Sequence, residues 1–146
     1  MEFLQKAAGK AAKAAKAASY AYHGYGETEI KVLEATGKEN WGVHGQAQQE
    51  IARLTRNRDD YQLVMKILWQ RLEHTGEEWR HVYKALTVME FLVAHGAEEV
   101  ARELQGDIRK IRRLENFHYK EPSGRDQGIN VRQKSSNLVA VRASSA

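Results

Sequence analysis

The spacing of apolar residues is the feature that most constrains the fold of this chain. Apolar side chains recur every three or four positions through most of the sequence, and the single proline, Pro122, lies late in it. This spacing is typical of α-helices, and no useful length of alternating strand pattern is present. Residues 77–94 are apolar around most of their helical circumference, which predicts a central, buried helix. The sequence therefore predicts an all-α domain of stacked antiparallel helices with short connections.

The periodic segments predict individual helices. Thr28 can cap a helix that ends near Thr36, and Asp59 or Asp60 can cap a later one that ends at Gly76. The other predicted helices span about 44–56, 77–94, 97–104 and 107–115, and the last begins near Gly128 after a loop over 119–128.

Length and composition exclude several classes of protein. With 146 residues the chain is long enough for one domain with a single core. It has no cysteine, which excludes disulfides and thiolate chemistry and suits a reducing cytoplasm. No apolar run approaches the roughly 20 residues that a membrane-spanning helix needs.

Positive charge is concentrated at the N-terminus, over positions 1–26. This segment holds four lysines against one glutamate, so it carries most of the chain's net charge of +4. On a helical wheel Lys6, Lys10 and Lys13 lie opposite a weak apolar stripe, with Lys16 at the edge of the basic side and Phe3 at a border. The stripe contains Leu4, Ala8, Ala11, Ala15, Ala18 and Tyr22. Residues 1–26 are therefore predicted to be a basic amphipathic segment attached to a helical domain over 27–146. A solvated helix or an expression leader is the simpler alternative, and a segment that folds on an anionic surface is the functional one.

No recognised catalytic signature is present. The chain lacks a phosphate-binding glycine loop, a nucleophile elbow and a dinucleotide fingerprint, so we expect it not to be an enzyme. The residues His74, Glu77, Glu78 and His81 resemble a metal-ligand set, but Gly76 interrupts the helix between them, and we expect no metal site.

A group of cationic residues is more informative. Arg71 lies near the end of one predicted helix, and Arg80, His81 and Lys84 lie in the first turns of the next. If the two helices form a hairpin across Gly76, all four approach one another, and together they offer donors suited to phosphate oxygens. The alternative is an ordinary charged rim beside the core.

Several blocks of the chain resemble the epsin N-terminal homology (ENTH) domain. They occur in the order found in that family and cover roughly residues 27–141: EIKVLEAT (29–36), WG (41–42), WQRL (69–72), EEWRHVYKALTVMEFLVAHG (77–96) and GRDQGINVRQKSSNLVAV (124–141).

The resemblance implies both a fold and a function. ENTH domains are compact right-handed superhelices of about seven to eight short helices, and they bind phosphoinositide head groups such as phosphatidylinositol 4,5-bisphosphate. Their N-terminal segment is disordered without lipid, then folds into an amphipathic helix that enters the leaflet and promotes curvature. Long tails of the parent proteins recruit clathrin and adaptor proteins, so a tail absent from this sequence is expected to do the same.

The resemblance also implies which residues of this sequence form the lipid-binding pocket. Arg71, His81 and Lys84 match basic pocket residues of the family. Leu33 and Glu77 replace a pocket arginine and a pocket lysine, and Lys38 replaces a polar residue of the loop after the first domain helix. These departures leave open a preference for a monophosphorylated lipid.

The sequence therefore predicts a phosphoinositide-binding, peripheral membrane module of an endocytic or trafficking adaptor, acting at coated pits, the Golgi or endosomes. No cofactor is expected. Lys10, Lys13 and Lys16 are predicted to close over the head group, and Phe3 and Leu4 to insert into the membrane. The alternative function is a protein-interaction module that binds SNARE or cargo peptides on a helical face. Nucleic acid is not expected as a partner, since the domain beyond the leader is almost neutral.

Overall fold

The fold is all-helical throughout the part of the chain that the structure describes. A computed structural model describes the backbone of residues 2–144 and the side chains of residues 9–141. Its eight α-helices are α1 (Glu2–Tyr22), α2 (Glu27–Ala35), α3 (Gly45–Leu54), α4 (Arg58–Arg71), α5 (Trp79–His95), α6 (Glu98–Gly106), α7 (Ile108–Arg112) and α8 (Gly128–Ser144). Short 3₁₀ turns, Gly76–Glu78 and Arg113–Asn116, precede α5 and follow α7.

Helix α5 is the central element of the domain, as its all-round apolar pattern predicts. Val82, Leu86, Met89 and Leu92 are completely buried. Helices α3, α4, α6 and α8 all pack against α5. Burying a leucine or methionine side chain in this way contributes roughly 1.5–3 kcal/mol, so α5 anchors the helices that present the site.

The helix starts differ from the predicted caps. Gly26, not Thr28, precedes α2, and the hydroxyl of Thr28 instead donates to Asp60 Oδ1 at 2.8 Å. Asn57, not Asp59 or Asp60, caps α4, because its side-chain oxygen accepts the backbone N–H of Asp60 at 3.1 Å. Both aspartates lie in the first turn of α4, where their negative charges interact favourably with the positive end of the helix dipole.

Gly76 turns the chain between α4 and α5. Its backbone φ angle of +59° lies in the left-handed region. A side chain would be strained in that conformation. This turn reverses the chain, so the end of α4 and the beginning of α5 lie side by side. None of the helices in the described part of the chain is long and apolar enough to cross a bilayer.

Candidate functional site

Arg71, His81 and Lys84, called here the cationic cluster, lie around the end of α2 and the loop that follows it. Arg71 is the last residue of α4, while His81 and Lys84 lie in the first two turns of α5. The hairpin that the sequence predicts across Gly76 therefore exists, and it brings all three residues to one stretch of chain, residues 33–41.

Arg71 is fastened to the end of α2. Its Nε donates to Thr36 Oγ1 and its Nη2 donates to the carbonyl oxygen of Leu33, each at 3.0 Å. The Leu33 side chain itself is buried in the core. A guanidinium has five N–H donors, so Arg71 keeps donors for a ligand after making these two bonds.

His81 is buried and oriented by the same turn of α2. Its Nδ1 lies 2.7 Å from the carbonyl oxygen of Thr36. Because a carbonyl can only accept, Nδ1 carries the proton and donates, and Nε2 is the acceptor of the neutral ring. Burial lowers the pKa of His81 below its usual value, and the positive charge of Arg71 and the nearby His74 lower it further. His81 is therefore mostly neutral in the free protein at neutral pH.

Lys84 is a buried cation. Only 5 % of its side chain is exposed, and its Nζ lies 3.9 Å from Glu39 Oε2 and 6.0 Å from the centre of the Trp41 ring. Burial lowers the pKa of Lys84, an effect that Glu39 opposes and that Arg80, Lys16 and Arg71 reinforce. A desolvated ammonium gains more from a nearby anion than an exposed one does.

Glu39 is a site residue that the sequence analysis missed. Its Oε1 accepts a hydrogen bond from Lys16 of α1, and its Oε2 faces Lys84 of α5. Burial alone would raise the pKa of Glu39, but the hydrogen bond and positive charge of Lys16, together with the charge of Lys84, lower it. An acid in a short polar loop carries no local signal that it joins two distant helices.

Helix α1 faces the domain with part of its basic side. Besides the contact between Lys16 and Glu39, Lys13 Nζ lies 3.8 Å from Glu34 Oε2. Lys10 and Lys38 are both exposed, and neither has a hydrogen bond or ion pair with the described side chains. The structure thus brings Lys16 to the cationic cluster and places Lys13 beside α2, but joins neither Lys10 nor Lys38 to it.

The opposite side of α1 is open. The described members of its apolar stripe are exposed: Ala11, Ala15, Ala18 and Tyr22. Phe3 and Leu4, predicted to enter the membrane, have side chains outside the described residues.

Three residues of the predicted metal-like set do come together. Ligand atoms of His74, Glu78 and His81 lie within 4.8 Å of one another, and the centres of the two imidazole rings are 4.5 Å apart. The expectation that Gly76 would separate them is wrong, because the turn at Gly76 folds α5 back beside the end of α4. Arg71 also faces His81, and its positive charge favours an anion over a metal cation here.

Arg80 extends the basic surface. Its Nη2 donates to Asn40 Oδ1 at 3.2 Å, and its guanidinium carbon lies 4.9 Å from the centre of the Trp79 ring. The loop after α2 is therefore held by Arg80 and Lys84 of α5 and by Lys16 of α1.

The comparison with protein families decides the identity of the fold. A family model described as the ENTH domain matches residues 25–144. The chain belongs to the ENTH domain family. The predicted resemblance is thereby confirmed.

This ENTH domain has curated relatives in plants and animals. It is 50 % identical over 113 residues to the clathrin interactor EPSIN 2 of Arabidopsis thaliana, a match that covers 77 % of this chain and 13 % of the relative. It is 43 % identical over 119 residues to human Epsin-1, covering 82 % of this chain and 21 % of that relative. The chain thus spans only a small part of the length of these relatives.

Solved ENTH domains have the same fold. The human epsinR ENTH domain has a TM-score of 0.79 and 40 % identity, covering 82 % of this chain and 88 % of that one. The epsin-2 ENTH domain in complex with phosphatidylinositol 4,5-bisphosphate has a TM-score of 0.81 and 30 % identity, covering 82 % and 84 %. ENTH in helical tubules on membranes that contain this lipid has a TM-score of 0.78 and 30 % identity, covering 91 % and 86 %. The predicted all-α ENTH fold is confirmed.

Proposed function

We propose that this ENTH domain binds phosphoinositide head groups at a membrane surface through the cationic cluster. The observation that carries the proposal is the convergence of Arg71, His81 and Lys84, from two helices, on residues 33–41. The complex of the related epsin-2 domain with phosphatidylinositol 4,5-bisphosphate supports the choice of ligand.

Each residue of the cationic cluster contributes different chemistry. Arg71 offers a planar set of donors, already held in place by α2, for two phosphate oxygens. Lys84 supplies a point charge in a partly desolvated position, where attraction to an anion is stronger than in water. His81 gains a second donor when it is protonated, and a bound phosphate favours that form.

Helix α1 supplies the membrane contact. Its lysines, Lys10, Lys13 and Lys16, attract the domain to an anionic surface, at about 1 kcal/mol for each basic residue near it, and Lys38 adds to this attraction. The described part of the apolar stripe points away from the domain. The helical wheel of the sequence assigns Leu4 to the same stripe and Phe3 to a border, so we assign insertion to these two residues. Alanine dominates the stripe, so shallow insertion is expected.

The substitutions Leu33 and Glu77 weaken the site compared with the family pattern. Leu33, which is buried, stands where the family pattern has an arginine, and Glu77, an exposed residue of the 3₁₀ turn, stands where it has a lysine. With fewer positive charges, the site gains less from a second phosphate, so the domain should discriminate less strongly between a bisphosphorylated and a monophosphorylated lipid. A panel of vesicles containing single phosphoinositides tests this.

The central experiment is vesicle co-sedimentation of Arg71→Gln combined with Lys84→Gln. We expect at least a tenfold loss of binding to phosphatidylcholine vesicles that contain phosphatidylinositol 4,5-bisphosphate, because two charge-assisted contacts disappear. The control, Arg102→Gln with Lys110→Gln, makes the same charge change on α6 and α7, where both residues are exposed. Equal binding by the two double variants would refute the site.

The role of the domain in the cell follows from its relatives. We infer that it belongs to an endocytic adaptor that reaches clathrin through other segments, since the Arabidopsis relative is named a clathrin interactor and is much longer than the matched region. Localisation of the fluorescently tagged domain, with and without the Arg71 and Lys84 substitutions, tests membrane recruitment. Loss of membrane signal only in the substituted protein is expected.

A further inference from the structure

Glu39 places a carboxylate inside the cationic cluster. Its Oε1 accepts a hydrogen bond from Lys16, and its Oε2 lies 3.9 Å from Lys84 Nζ. The Oε2 atom is buried, and no side chain or backbone group of the described residues donates a hydrogen bond to it. A buried charged oxygen is costly unless neighbouring charges compensate it, and the two lysines provide that compensation.

A carboxylate and a phosphate offer the same kind of oxygen to a cation. Both accept charge-assisted hydrogen bonds from ammonium and guanidinium groups. A phosphate that approaches Lys84 and Lys16 therefore meets a position that an anion already holds, and the two negative charges repel each other.

We propose that Glu39 is an internal competitor for the head-group phosphate. In the free protein the Glu39 carboxylate neutralises Lys84 and Lys16, and phosphate binding displaces it into solvent. This inference rests on the proposed function, because it concerns the affinity of the same site. Glu39 lowers the affinity for phosphorylated inositols, and Lys16 is the α1 lysine that exchanges its contact with Glu39 for a contact with the ligand.

The absence of a side chain at Gly37 leaves room for the Glu39 carboxylate beside Lys84 and Lys16. A Cβ atom at position 37 would collide with Glu39 Oε2 and lie 3.0 Å from its Cδ. The backbone of Gly37 is not in the left-handed region, which among the glycines is found at Gly24, Gly76 and Gly124. Alanine is thus tolerated by the backbone at position 37, and the end of the flexible Glu39 side chain moves instead.

Two substitutions remove the competitor by different routes. Glu39→Gln abolishes the charge but leaves an oxygen that can accept from Lys16. Gly37→Ala keeps every charge of the protein and turns the Glu39 carboxylate out of the cluster. A gain in affinity in both variants separates local competition from a change in net charge.

Each of the substitutions Glu39→Gln and Gly37→Ala has a matched control. Glu50→Gln makes the same charge change on α3, where Glu50 Oε2 accepts from Lys31 at 2.8 Å. Gly42→Ala adds the same methyl group in the same loop, where nothing lies within 4 Å of the new atom.

The experiment measures binding of these four variants and the wild type by titration calorimetry. The probes are soluble inositol 1,4,5-trisphosphate and phosphatidylcholine vesicles with and without phosphatidylinositol 4,5-bisphosphate. We expect Glu39→Gln and Gly37→Ala to bind both phosphorylated probes about three- to tenfold more tightly than wild type, and the controls to bind like wild type. A gain on the vesicles alone would place the effect at the bilayer and would overturn competition at the head group.

The remaining outcomes are also decisive. If the wild type binds the phosphorylated probes but Glu39→Gln and Gly37→Ala do not both bind them more tightly, the inference is overturned and the proposed function stands. Weaker binding by either variant also overturns it, since Glu39 would then hold Lys16 in its productive position. Failure of every variant to recognise either phosphorylated probe overturns the proposed function and the inference together.

Discussion

The guanidinium of Arg71 donates to the carbonyl oxygen of Leu33 at 3.0 Å, so a residue proposed to bind phosphate also closes the end of α2. The same side chain reaches Thr36 Oγ1. Helix ends leave carbonyl groups without partners inside the helix, and Arg71 satisfies one of them. The proposed phosphate contact and the position of α2 therefore depend on the same residue.

Replacement of Arg71 by alanine should destabilise the domain as well as weaken binding. The loss of two hydrogen bonds at a half-buried position is expected to cost about 1–3 kcal/mol in the free energy of unfolding. Urea unfolding followed by circular dichroism measures this cost.

Arg102→Ala serves as the control for Arg71→Ala, since the exposed side chain of Arg102 forms an ion pair with Glu99 of the same helix. A surface substitution of this kind should change stability by no more than about 0.5 kcal/mol. An unchanged urea midpoint for Arg71→Ala would show that its two hydrogen bonds do not hold α2.

The burial of His81 should make stability depend on pH. Its pKa is lowered in the folded protein from the usual 6.5, first by burial, so the folded state binds this proton less readily than the unfolded chain does. The resulting stability is fully present above about pH 6.5 and is lost as the pH falls toward the pKa of the folded state. Groups that face the ring are Arg71 and His74, which lower its pKa further, and Thr36 and Glu78, which oppose the shift.

The measurement compares wild type with His81→Asn in urea unfolding from neutral to mildly acidic pH. Asparagine can still donate to the Thr36 carbonyl but does not titrate. We expect the wild type to lose more stability than the variant as the pH falls. His118→Asn, at an exposed position, should follow the wild-type curve. Parallel curves for wild type and His81→Asn would remove His81 as the cause.

Glu103 should be a structural carboxylate that fastens α6 to α4. Its two oxygens accept from Tyr61 Oη at 2.8 Å and from Trp69 Nε1 at 2.6 Å. Burial, followed by the bond to Glu103, raises the pKa of Tyr61, so this phenol remains a donor at any ordinary pH. Glu103→Ala leaves both donors without their acceptor and should cost about 2–4 kcal/mol, with Glu103→Gln intermediate.

Thermal unfolding tests the role of Glu103. Glu99→Ala is a suitable control because Glu99 is exposed on the same helix and forms an ion pair with Arg102. Vesicle binding below the unfolding transition should be unchanged in both variants, since α6 holds no residue of the proposed site. A melting temperature for Glu103→Ala equal to that of Glu99→Ala would contradict the prediction.

The helices could be predicted from the sequence because burial leaves a periodic pattern. Residues 77–94 predict a central helix, and α5 spans Trp79–His95. The caps were less predictable, since Asn57, Asp59 and Asp60 are all suitable side chains within one turn, and only the three-dimensional path of the chain selects Asn57.

Part of the candidate site could also be predicted from the sequence, because three of its residues lie on neighbouring helices. Arg71, His81 and Lys84 lie on two helices joined by a glycine turn, so a hairpin brings them together. Glu39 escaped prediction because its partners, Lys16 and Lys84, lie far away in sequence on different helices. Ion pairs between such distant residues depend on the packed structure, and no local pattern indicates them.

The exposed stripe of α1 should limit how firmly the domain holds a membrane. Ala15 and Ala18 are exposed on the side of α1 away from the domain. A methyl group contributes little to insertion. Ala18→Leu adds apolar surface without changing charge, and we expect vesicle binding to strengthen by about 1–2 kcal/mol, or roughly five- to thirtyfold. Co-sedimentation with vesicles that contain phosphatidylinositol 4,5-bisphosphate measures the gain.

The matched control for Ala18→Leu is Ala140→Leu, which adds the same group at an exposed position of α8. The gain should require the phosphoinositide, since under the proposed function the cationic cluster directs the helix to the surface. An equal gain for Ala140→Leu, or a gain on phosphatidylcholine alone, would indicate nonspecific adsorption and would argue against α1 as the inserting element.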